Sequence, residues 1–101
     1  SSFLVELSQK NIENIQSYFK DKPVLKANQF GSYLRGSARV ESDIDLLVEL
    51  DYSQKIGLEF IQMKLDLETL LKKRVDLVSV KGVSKYVKPF IDREKALIYA
   101  R

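Results

Sequence analysis

Cysteine and histidine are both absent from these 101 residues, and the two gaps remove much of the usual catalytic repertoire. Without thiols there are no disulfides, no thiol nucleophile and no thiolate metal site, a composition that suits a reducing compartment. Without imidazole, neither a Ser-His-Asp nor a Cys-His mechanism can be assembled, and any metal must be held by oxygen. Oxygen donors favour hard cations such as Mg²⁺ or Mn²⁺ over Zn²⁺. Also missing is any apolar stretch near the roughly 20 residues that a membrane span needs, and a basic region followed by an apolar run at the start. The expected location is therefore the cytoplasm, with no membrane partner. No linker rich in Pro, Gly or Ser interrupts the chain, so one domain over 1–101 is expected, with no internal repeat.

What is present is ordinary in bulk: 45% apolar and 31% charged residues, as in a globular domain. The net charge of +3 permits an anionic ligand without demanding a polyanion. The five Tyr and five Phe are not interleaved with a basic stripe, which argues against direct nucleic-acid binding. The basic run Lys72-Lys73-Arg74 reads as a complement to a helix C-terminus.

Patterning predicts an amphipathic helix over 3–20, carrying Phe3, Leu4, Leu7, Ile12, Ile15 and Phe19 at helical spacing and ended by Pro23. A strand follows over 24–30 and delivers the chain to Gly31-Ser32, where Ser32 is expected to cap a short helix through Arg35. After a polar turn, 42–50 reads as a strand apolar on both faces in its distal half, hence central in its sheet. A long helix with a wide apolar face is expected over 53–71, with Ser53 as N-cap. The remaining elements are a strand over 75–80 ended by Gly82, a helix over 84–93 with Pro89 in its first turn, and a closing strand over 96–100. The expected class is α/β (α+β), a small sheet flanked by helices.

The chemistry concentrates in two short segments. Gly31-Ser32 is followed after ten residues by Asp43-Ile44-Asp45, and Asp76 lies in the next strand-like run. Alternate strand residues share a face, so Asp43 and Asp45 would stand roughly 6.5 to 7 Å apart with Ile44 in the core. Carboxylates so placed can converge on two divalent ions about 4 Å apart, the arrangement used for in-line displacement at phosphorus. Asp76 would lie beside them if the two strands are neighbours, and would help activate an attacking hydroxyl in place of a histidine. Gly31 and Ser32 would offer a close-approach backbone and a hydroxyl to phosphates, with Arg35 and Arg39 as further neutralising groups. Singly, each part has a plainer reading: Asp-x-Asp occurs in surface turns, Gly-Ser is often only a turn, and Asp76 suits an edge strand facing water. The fixed interval and the strand context of both acidic elements favour the joint reading.

The stretch from Gly31 to Val48, with its G-S-x10-D-x-D pattern, resembles the DNA polymerase β-like nucleotidyltransferases. The short length and the tail from Tyr86 to Tyr99 are similar to the minimal nucleotidyltransferase (MNT) branch. The resemblance implies a mixed sheet flanked by helices, Asp43, Asp45 and Asp76 as metal ligands and catalytic carboxylates, and Gly31 and Ser32 on the triphosphate. It implies two Mg²⁺ ions, with Mn²⁺ as an alternative, and transfer of AMP from ATP to a hydroxyl. Minimal members pair with a small helical HEPN toxin as its antitoxin, so the expected acceptor is a tyrosine of such a partner in a hetero-oligomer. Two alternatives follow from the same likeness: an antitoxin that works by binding without catalysis, or a transferase acting on a small-molecule hydroxyl. The wide apolar face of 56–71 either meets the partner or covers the sheet, the latter being what two-layer folds ordinarily require.

Overall fold

The computed structural model describes residues 6–101. Its elements run α1 (Gln9–Phe19), β1 (Val24–Phe30), a one-turn α2 (Ser32–Arg35), β2 (Ile44–Leu50), α3 (Glu59–Leu71), β3 (Val75–Ser79), a 3₁₀ turn at Val80–Gly82, α4 (Lys88–Glu94) and β4 (Ala96–Ala100). The four strands form one mixed sheet in the order β3-β2-β1-β4. β1 pairs antiparallel with both β2 and β4, whereas β2 and β3 are parallel. A parallel pair needs a crossover long enough to return the chain, and α3 supplies it. β2 is an inner strand, as its two-sided apolarity required.

One sheet face carries the core. Ile44, Leu46, Val48 and Leu50 alternate inward along β2 and meet Ile15 and Phe19 of α1 and Met63, Leu67 and Leu71 of α3. α1 and α3 are joined at their polar edge by the Tyr18 hydroxyl, which donates to Asp66 at 2.6 Å. Burial, followed by that bond to an anion, raises the Tyr18 phenol well above its usual range. Leu67 is fully buried, so Leu67→Ala should cost about 2 to 5 kcal/mol. Urea unfolding should show it as a lower midpoint with an unchanged slope.

The element order follows the sequence pattern, but several boundaries move. Ser8 caps α1 by accepting from the Asn11 N–H, so the helix starts at Gln9, and Phe3 and Leu4 lie outside the described residues. Gly31, not Ser32, occupies the cap position of α2, and Ser32 is the first helical residue. Ser53 does not cap α3 either. Its N–H and hydroxyl both donate to Asp51, which forms a turn, and α3 begins six residues later at Glu59. Those bonds, with the Arg101 guanidinium next in weight, hold the Asp51 carboxyl well below the usual range. Pro89 does fall in the first turn of α4. The apolar face of α3 is split: Met63, Leu67 and Leu71 cover the sheet, while Leu58, Ile61 and Leu65 face outward. No helix among the described residues is long and apolar enough to cross a membrane.

Candidate active site

β1 ends at Phe30, opposite Asp45 of β2, and the next residue turns away through Gly31. Gly31 has φ 78° and ψ −158°, a conformation that side chains with a Cβ avoid. The missing Cβ matters sterically as well, because an atom placed there would overlap the Asp45 carboxylate. The glycine is thus fixed by both its backbone angles and its neighbour. α2 follows for a single turn, and Gly36 closes it in the left-handed conformation, donating its N–H to the Ser32 carbonyl.

The loop from Gly36 to Asp43 is held by two bonds within it and one from Lys73 outside it. Arg39 N–H donates to the Ser42 hydroxyl at 2.9 Å, Ser42 N–H donates to the Arg39 carbonyl at 3.0 Å, and Lys73 Nζ donates to the Val40 carbonyl at 3.1 Å. Ile44 N–H then donates to the Arg74 carbonyl, which fixes the start of β2 against the approach to β3. The parallel register that results sets Asp45 directly beside Asp76. Both project from the sheet face opposite the core, since Ile44, Leu46, Val75 and Leu77 are the buried alternates.

The electrostatics of this pair are unfavourable as they stand. Burial first, then the charge of Asp76 and then that of Asp43, push the Asp45 carboxyl up to about 6, with Arg35 opposing. Raised carboxylates in a cluster of like charge are a mark of sites that bind cations or handle protons. A hard divalent cation fits this all-oxygen donor set, and would remove the repulsion that raises Asp45. The three acids do not, however, form a ready-made cluster: among the described residues no three acidic side chains converge closely enough to hold a metal ion. Asp45 and Asp76 are brought together, and Asp43, exposed just before β2 begins, acts on Asp45 through its charge.

Arg35 and Arg39 differ in placement. Arg35 lies close enough to lower the Asp45 carboxyl, and its guanidinium pairs with Glu94 of α4 at 2.9 Å. Arg39 is exposed in the 39–42 turn. Glu94 and Lys73 take part in shaping the site without any local signal in the sequence, because their partners lie 59 and 33 residues away. Tyr33 is also unexpected: only 4% exposed, it packs in the core with a hydroxyl that has no hydrogen-bond partner.

Residues 13–101 match the family model described as Polymerase beta, Nucleotidyltransferase. The chain belongs to that nucleotidyltransferase family. Among its relatives is the protein adenylyltransferase MntA of Thermococcus cleftensis, 34% identical over 93 residues that span 87% of this chain and 93% of the relative. A solved structure described as a minimal nucleotidyltransferase superposes with TM-score 0.78 at 33% identity, covering 91% of this chain and 95% of the other. The same fold recurs in a solved structure of tri-AMPylated Shewanella oneidensis HEPN toxin in complex with MNT antitoxin. That match has TM-score 0.70 and 20% identity, and covers 92% of this chain and 72% of the other. The mixed sheet flanked by helices is therefore the polymerase β-like nucleotidyltransferase fold.

Proposed function

We propose that this nucleotidyltransferase moves AMP from ATP to a tyrosine hydroxyl of a HEPN-type toxin, and serves as the antitoxin of that pair. The observation that carries the reading is the Asp45–Asp76 pair, set side by side on an open sheet face against a glycine that has no room for a Cβ. The adenylyltransferase relative and the AMPylated toxin complex give the chemistry and the acceptor class their support.

In this mechanism Gly31 lets the triphosphate approach the backbone, where the first N–H groups of a helix have no partner within it. With one turn in α2, that help comes from N–H groups rather than from a macrodipole. Ser32 adds a hydroxyl, and Arg35 and Arg39 add positive charge, Arg35 by exchanging Glu94 for a phosphate oxygen. Asp43, Asp45 and Asp76 would hold two Mg²⁺ or Mn²⁺ ions, which supply neutralisation of the charge that develops on the phosphate. The phenol oxygen forms a bond to the α-phosphorus as its proton passes to Asp76. The bond from that phosphorus to the oxygen bridging the β-phosphate breaks, and its electron pair leaves with pyrophosphate.

The test is to incubate the chain with its co-purifying partner, Mg²⁺ and ATP labelled at the α-phosphate. Label should move to the partner, and EDTA should stop it. Tyrosine should be the modified residue by mass spectrometry. A partner that binds stoichiometrically yet stays unlabelled would support the non-catalytic antitoxin instead, and labelling of a small hydroxyl compound alone would support the small-molecule transferase.

A further inference from the structure

Beyond the acidic pair, the same sheet face continues along β2 through Leu47 and Glu49, which line a cavity of about 270 Å³. α4 walls it with Ile91, β4 with Leu97, and the segment after β3 with Val83. Leu47, Val80, Val83, Ile91 and Leu97 give it apolar walls, Asn28 of β1 adds an amide to the floor, and the rim carries Lys26, Lys88 and Lys95 against Glu49 and Asp92. Asp92 already serves two of the lysines, at 2.7 Å from Lys88 and 2.9 Å from Lys95. Lys26 stands opposite Glu49 in the β1–β2 register, and the rim keeps an excess of one positive charge.

We infer that this cavity is the acceptor subsite, and that it takes a tyrosine side chain presented on an acidic segment of the partner protein. The inference rests on the nucleotidyltransferase reading above and adds a direction to it. Displacement at phosphorus is in line, so the attacking oxygen must arrive opposite the departing pyrophosphate. Gly31 and Ser32 lie beyond the Asp45 end of β2, whereas Leu47 and Glu49 lie roughly 7 and 13 Å from Asp45 in the other direction along the strand. With the terminal phosphates at Gly31 and Ser32, the cavity is on the attacking side. At about 270 Å³ it has room for one aromatic side chain, and its position opposite the leaving group is what selects the nucleophile as occupant. Apolar walls suit the ring, and the lysine rim suits neighbouring carboxylates on the partner.

Binding can be tested apart from turnover by methyl and amide NMR of the full chain. Three probes are titrated: a peptide with one tyrosine flanked by glutamates, the same peptide with lysines in their place, and adenosine. The acidic peptide should shift the methyls of Leu47, Val83, Ile91 and Leu97, and Lys26→Glu should weaken it at least fivefold. The lysine peptide should bind at least tenfold more weakly than the acidic one. Adenosine shifting those methyls would assign the cavity to the nucleoside and overturn the proposal, as would an acidic peptide that leaves them unmoved. Failure of the underlying reading looks different: Mg²⁺-ATP would then leave the Gly31 and Ser32 amides unmoved, whatever the peptides do.

Discussion

Asp45→Asn should abolish AMP transfer and, in the metal-free protein, increase stability. On the proposed reading the loss of activity follows because Asp45 would help hold the divalent ions that neutralise the phosphate, an effect worth several kcal/mol and so on the order of a thousandfold in rate. The gain in stability follows from the protonation behaviour of the folded state. Burial, Asp76 and Asp43 raise the Asp45 carboxyl from 3.8 to about 6, so the fold binds this proton more tightly than the unfolded chain does. The associated stability is fully present below pH 3.8 and is lost as pH rises through about 6. At pH 8 the ionised carboxylate therefore opposes folding, by about 1 to 2 kcal/mol once solvent screening of a partly exposed group is allowed for. Asparagine keeps the shape and sheds the charge. Urea unfolding in EDTA should show the variant more stable than the parent at pH 8, with the advantage shrinking toward zero at pH 4. An equal gain at both pH values would trace it to packing rather than charge.

The placement of the candidate site residues was legible in the sequence because most of them stand close together along it, while that of their surroundings was not. Asp43, Asp45, Gly31 and Ser32 stand within fifteen residues, and period-2 alternation alone aims Asp45 away from the core, as observed. Asp76 required one further condition, that its strand neighbour β2, and the parallel register meets it. The helices were readable wherever burial made a periodic stripe, as at Ile15 and Phe19 or Met63 and Leu67. Their starts were less so, because a cap depends on which of several candidate side chains meets the free N–H groups: Ser8 does so for α1, while Ser53 is taken by Asp51. The Arg35–Glu94 pair and the lysine that holds Val40 depend on tertiary approach, for which no local pattern exists. The cavity is of the same kind, since its lining comes from β1, β2, β4, α4 and the segment after β3.

Gly31→Ala should reduce AMP transfer at least about a hundredfold, a larger effect than its cost to the fold predicts. Two penalties act at once. The backbone at φ 78° and ψ −158° is strained for alanine by about 1 to 3 kcal/mol. The new methyl also occupies the space of the Asp45 carboxylate, whose carbon and oxygen atoms are the nearest neighbours of that position. A carboxylate can rotate away, so the chain should still fold, but the rotation takes Asp45 from its place beside Asp76. Gly36 tests the effect of a positive φ without the overlap, because its φ is 76° in the left-handed region, with ψ 17°, and open space lies where a Cβ would go. Gly36→Ala should therefore cost about 1 to 2 kcal/mol in thermal unfolding and leave transfer within a fewfold of the parent. If both alanine variants lost activity in proportion to their stability, backbone strain alone would account for Gly31. If only Gly31→Ala lost it, the empty space beside Asp45 would be what the glycine provides.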